Sequence, residues 1–129
     1  MKIVADENLA FTDYFFSEFG DIQHRAGRTL RAEDVKDADS LLVRSVTQVN
    51  EVLLQNSSIK FVGSATIGTD HLDIAALEQH GIQWSNAAGC NAQAVAEYVI
   101  TALLQVRPEL LDANTTFTLG SVGLGNVGT

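Results

Sequence analysis

Four stretches of the sequence gather most of its chemically able side chains. They are Asp6-Glu7-Asn8, Arg44-Ser45-Val46-Thr47, the small-residue stretch SATIGTD at 64–70, and NAAGCN at 86–91. Each follows a short apolar run that reads as a β-strand. Small residues let backbone N–H groups approach an anion closely. A guanidinium such as that of Arg44 forks onto phosphate or carboxylate, and Ser45 and Thr66 add hydroxyl donors. The combination suits a small polyanion. Plainer roles stand beside this one. Arg44 can pair with Asp6 or Glu7, and Ser45 and Thr66 can serve as turn and capping residues. Gly68 can supply a positive φ, Asp70 and Asp73 read as carboxylates at a helix N-terminus, and His71 reads as a structural histidine at a helix start. His24 and His80 carry no partner signal. Cys90 has no base in the sequence near it and reads as a small buried residue. No metal-ligand spacing appears.

A fifth stretch closes the chain. Gly123, Gly125 and Gly128 in VGLGNVG have the spacing of a dinucleotide-binding turn, preceded by a strand-like run from Phe117. In such a turn the first glycine makes the bend, the second admits the pyrophosphate and the third lets a helix pack on the strand.

The elements that must position these groups alternate strand with helix. Strands are expected at 2–5, 21–25, 40–44, 59–65 and 82–85. Helices are expected around Tyr14, Phe15, Phe16 and Phe19 up to Gly20, at 32–38, after a cap at Asn50, and at 72–80 with Gly81 in the C-terminal position. A long helix is expected from about Asn91 to about Val106, with Val95, Val99, Ala102, Leu103 and Val106 on one face. Strands separated by helices imply an α/β fold with a parallel sheet and right-handed crossovers, in the flavodoxin-like order 2-1-3-4-5. In such a sheet ligands bind at the carboxyl ends of the strands, where the first four stretches lie.

Composition narrows the class. The 129 residues are 46% hydrophobic and 19% charged, enough apolar material for a core and too little polarity for disorder. A formal net charge of −8 argues against non-specific nucleic-acid binding. The apolar runs are too short to cross a bilayer, so no membrane partner is expected. The start, MKIVADEN, has no extended apolar region and does not read as a signal peptide. A single cysteine suits a reducing, cytoplasmic setting.

Taken in order, VRSVTQVN, IKFVGSATIGTDHLD, NAAGCNAQAVAEYV and VGLGNVG resemble the D-2-hydroxyacid dehydrogenases across essentially the whole chain. One departure is Ala88, where the family often has proline. The resemblance implies a substrate domain at 1–90, a connecting helix and linker at 91–116, and at 117–129 only the first strand and glycine turn of a truncated Rossmann cofactor domain. It implies NAD as cofactor and a small phosphorylated hydroxyacid as substrate. Ser45 and Thr66 match substrate-binding positions, and the backbone at Ile67 and Gly68 matches the loop that holds the substrate carboxylate, beside Arg44. Asn126 and Val127, between Gly125 and Gly128, match the amides facing the pyrophosphate. The family's catalytic arginine, glutamate and histidine come from a part absent here, so no catalytic residue is assigned and the chain alone is expected to be inactive. A homodimer is implied as well. Self-association is also expected physically, because an apolar helix face and a strand edge at 117–123 lack partners.

Two alternatives stay open at this stage. One is a dehydrogenase for another 2-hydroxyacid of the glycerate or phosphoglycerate type. The other is a non-enzymatic receiver module, which needs an aspartate at the end of strand three, where Arg44 stands.

Overall fold

The computed structural model describes residues 1–112, 116–120 and 125. They divide into two compact units, Met1–Ala87 and Ala88–Thr129. The first unit is a five-stranded parallel sheet in the order β2-β1-β3-β4-β5, as expected. Its strands are β1 (Lys2–Asp6), β2 (Asp21–Arg25), β3 (Ser40–Val43), β4 (Phe61–Ser64) and β5 (Gln83–Asn86). Its helices are α1 (Thr12–Phe16), α2 (Ala32–Val35), α3 (Glu51–Leu54) and α4 (Ile74–Gln79).

Side chains alternate across the strands and make two layers of core. Val4, Leu41, Val43 and Val62 face the larger cluster with Val35, Leu53, Leu54 and Leu77. Ile3, Ala5 and Leu42 face the other side, packed against Leu9, Ile22 and Phe61. This second face is thinly covered: apolar hollows of about 310 and 300 Å³ share Phe16, Leu42 and Phe61 in their walls. β3 is buried along its whole length, which is why its sequence is continuously apolar after Ser40 rather than alternating.

Local signals explain the helix ends. The Asn50 side chain accepts from the Leu53 amide and caps α3. Asp73 accepts from Ala76 and caps α4, whose far end turns at Gly81 with φ +65°. Several expectations need correction. Asp70 lies in a turn short of α4, so only Asp73 is a helix N-terminal carboxylate. The first helix is split into α1 and a 3₁₀ turn at Ser17–Phe19, and its aromatic residues are exposed, Tyr14 at 81%. Consecutive aromatics cannot share one helix face, so residues 14–16 fan outward.

The second unit contains α5 (Ala92–Val106) and a 3₁₀ turn at Pro108–Leu111. Asn91 holds the N-cap position of α5, but its side chain makes no capping hydrogen bond; the preceding turn, closed from the Ala92 amide to the Gly89 carbonyl at 3.1 Å, enters the helix by backbone alone. Cys90 sits in this turn and is exposed, not buried, because it lies outside the sheet and its core. Val95, Ala102 and Leu103 are half-buried, whereas Val99 and Val106 are exposed. The strand expected from Phe117 is not formed over 117–120, which pair with no strand among the described residues. The remainder of that expected strand lies outside the described residues.

Candidate functional site

Register brings the candidate residues to one rim. Val43 of β3 pairs with Ser64 of β4, and Ser64 pairs with Asn86 of β5. On the other side Ala5 of β1 pairs with Leu42. Asp6, Arg44, the 65–68 loop and Asn86 therefore leave the sheet at the same level. Arg44 stands one residue past β3, not at its last position as expected. Ser45 is exposed at the tip of a turn closed by the Thr47 amide on the Arg44 carbonyl at 3.2 Å.

Arg44 makes the ion pair that was one of its two expected roles. Its Nη2 lies 3.1 Å from Asp6 Oδ1, with the Asp6 side chain 1% exposed and that of Arg44 34%. Asp6 Oδ1 also accepts from the Asn8 amide at 2.9 Å. Asp6 Oδ2 and Arg44 Nε are buried with no hydrogen-bond partner among the described residues. The pair is thus single-pronged, and the guanidinium remains partly open to solvent.

The Thr66 loop is held from three sides. Its backbone continues the ladder, with the Ala65 amide on Val43 at 3.0 Å and the Ala87 amide on the Thr66 carbonyl at 3.1 Å. Asn86 Nδ2 donates to the Ile67 carbonyl at 2.6 Å. Further along, the Val49 amide donates to the His71 carbonyl and the Asp73 amide to Val49, each at 2.8 Å. These two bonds tie the segment after β4 to the segment after β3, so the loops bearing Ser45 and Thr66 are fixed to one another. Gly68 does not have a positive φ, and a Cβ there would meet only Asp70 Oδ2 at 3.8 Å.

Behind Thr66 lies a polar chain that the sequence did not announce. Ser64 Oγ is 2.8 Å from Thr66 Oγ1 and 2.8 Å from His71 Nε2. Ser64 and His71 are each 5% exposed. Burial pushes the His71 imidazole below its ordinary pKa, more strongly than the neighbouring Asp70 carboxylate raises it. The unfolded chain therefore binds more protons than the folded one below the ordinary value of 6.5, and stability must fall as pH drops through that region. Urea denaturation between about pH 7.5 and 5.5 is expected to show this loss, and His71→Gln is expected to remove part of the slope. An unchanged slope in the variant would show that His71 titrates alike in both states. The other histidines have partners the sequence did not signal: His24 with Asp13 at 3.1 Å and His80 with Glu51 at 3.0 Å.

Among the described residues no cluster of histidine, cysteine and carboxylate could hold a metal, and no helix is long and apolar enough to cross a membrane. Of the proposed cofactor contacts, Gly123, Asn126, Val127 and Gly128 lie outside the described residues. Gly125 is exposed, and a Cβ on it would meet nothing within 4 Å, so the described packing does not itself demand glycine there.

The sequence model for the D-isomer specific 2-hydroxyacid dehydrogenase catalytic domain matches residues 6–124. The chain belongs to this family. As a family member it is 77% identical over 128 residues to an erythronate-4-phosphate dehydrogenase of Acinetobacter baumannii, a match covering 99% of the chain and 36% of the relative. A protein of the same name from Shewanella amazonensis is 53% identical over the whole chain and 35% of its own length. The chain thus spans about a third of the length of these curated relatives. Among solved structures, the Aquifex aeolicus D-lactate dehydrogenase complexed with NAD and lactic acid superposes with a TM-score of 0.69 at 14% identity, over 99% of this chain and 46% of that one. The NAD-bound 3-phosphoglycerate dehydrogenase of Entamoeba histolytica gives 0.68 at 24% identity, over 99% and 48%. These last two similarities establish the dehydrogenase-domain fold. Membership sets aside the receiver module.

Proposed function

We propose that this chain is the substrate-binding part of an erythronate-4-phosphate dehydrogenase, which oxidises 4-phospho-D-erythronate at its 2-hydroxyl in vitamin B6 synthesis. The observation that carries this is the 77% identity over 99% of the chain to a protein of that name. Residues 1–90 form the substrate domain, 91–116 the connection, and 117–129 the beginning of the cofactor domain. Arg44, Ser45 and Thr66, with the backbone at Ile67 and Gly68, receive the anionic substrate. Their position at the carboxyl ends of β3 and β4 supports this role, because that rim is where parallel sheets bind ligands. NAD, when bound, accepts the hydride. No group described in this chain takes the hydroxyl proton, and we assign no turnover to the chain by itself. The complete enzyme works as a homodimer.

Backbone amide NMR of the labelled chain tests the binding assignment. Titration with 4-phospho-D-erythronate should shift Ser45, Thr66 and Gly68, while D-erythronate should not. Ser45→Ala should weaken the phosphorylated ligand by roughly tenfold, the loss of one hydrogen bond to a charged group. Equal responses to both ligands would show that the phosphate is not read at this rim, and no response at millimolar ligand would refute the assignment.

A further inference from the structure

The order of protons in the chain behind Thr66 follows from its far end. Thr66 Oγ1 lies 3.4 Å from the Gly68 carbonyl oxygen, which can only accept, so a Thr66 proton turned toward the loop has a partner there. A hydroxyl has one proton. In that arrangement the 2.8 Å contact between Ser64 and Thr66, across which either hydroxyl can donate, is made by the Ser64 proton. With that proton committed, the 2.8 Å contact between His71 and Ser64 requires Nε2–H of His71 as donor. The sequence runs His71 to Ser64 to Thr66 to the loop carbonyl, and its two inner members, Ser64 and His71, are buried at 5% exposure each. The last link is long and weak, and an anionic oxygen at normal hydrogen-bond distance would outcompete it for the same proton.

We propose that Ser64 and His71 are positioning residues that hold the Thr66 hydroxyl as an outward-facing donor for an anionic substrate oxygen. This rests on the role proposed above for Thr66 as a substrate contact. Were the chain reversed, with His71 accepting, Thr66 would spend its proton on Ser64 and present only lone pairs to the anion. The imidazole tautomer thus selects between donating to the substrate and repelling it. His71 suits the task because burial keeps it neutral near pH 7, with one N–H to place.

The first measurement is the ¹⁵N imidazole spectrum of the unmodified chain, with His71 assigned by comparison with His71→Gln. The protonated nitrogen should be Nε2. An Nδ1–H tautomer reverses the chain and overturns the proposal without any ligand. The second measurement is affinity for 4-phospho-D-erythronate, with folding of each variant checked by thermal melting. Ser64→Ala and His71→Leu should each weaken binding roughly tenfold, whereas His71→Gln, which keeps an N–H donor, should stay within about threefold. Unchanged affinity in a folded Ser64→Ala variant overturns the proposal. If the unmodified chain shows the Nε2–H tautomer yet binds neither 4-phospho-D-erythronate nor inorganic phosphate, the substrate assignment fails and the proton order stands.

Discussion

Arg44→Met is expected to lower the unfolding free energy by about 3 kcal/mol, a large loss for a rim residue. The reason lies in its partner. The Asp6 side chain is 1% exposed at the end of β1, and the Arg44 guanidinium at 3.1 Å is its counter-charge. Methionine keeps the apolar stem but strands a carboxylate whose remaining hydrogen bond among the described residues is from the Asn8 amide. Asp6→Asn removes the charge together with the need for its partner, so it should cost less than Arg44→Met. The double variant should cost clearly less than the sum of the two. Urea denaturation of the four proteins gives the cycle directly. If Arg44→Met falls within about 0.5 kcal/mol of the unmodified chain, solvent at the open side of the guanidinium already compensates Asp6, and the pair is no more than a surface contact.

The same pair shows what the sequence could and could not disclose. Alternating apolar runs and helix-end residues are local signals, so the strand order, the cap at Asn50 and the helix-start carboxylate at Asp73 were legible without coordinates, though not that Asp73 caps α4. The rim was legible too, because a parallel sheet presents the residues after each strand on one side. Register was not. Whether Arg44 faces Asp6 or a ligand depends on the pairing of β1 with β3, which no local pattern encodes. The Ser64–His71 contact spans only seven residues, yet it escaped notice because the chain between them bends back through a loop without a periodic signature. Cys90 was misjudged for a related reason. Cysteine is commonly buried, but Cys90 is exposed in a turn where Gly89 has φ +73°.

Gly27→Ala is expected to cost about 2–3 kcal/mol, at a position that sequence alone would pass over as one more turn glycine. Gly27 is buried in a 3₁₀ turn after β2, and its φ is not positive, so backbone conformation is not the constraint. Space is. A Cβ there would stand 2.2 Å from Asp6 Oδ2 and 2.7 Å from Thr47 Oγ1. Thr47 in turn donates to the Gly27 carbonyl at 3.0 Å, so it cannot retreat without releasing a buried hydrogen bond. Asp6 cannot retreat without pulling on Arg44. The added methyl group must therefore disturb the ion pair. Two other glycines calibrate the effect. Gly81→Ala meets no atom within 4 Å but carries φ +65°, and should cost about 1 kcal/mol from backbone strain alone. Gly68→Ala, with neither constraint, should be neutral within about 0.5 kcal/mol. Denaturation midpoints of the three variants rank these causes. If Gly27→Ala proves as mild as Gly68→Ala, Asp6 has room to move, and the tight seating assigned to the Asp6–Arg44 pair is wrong. If the loss appears and is largely absent on an Asp6→Asn, Arg44→Met background, the turn after β2 acts through that pair. Gly27 would then help set where Arg44 stands at the rim.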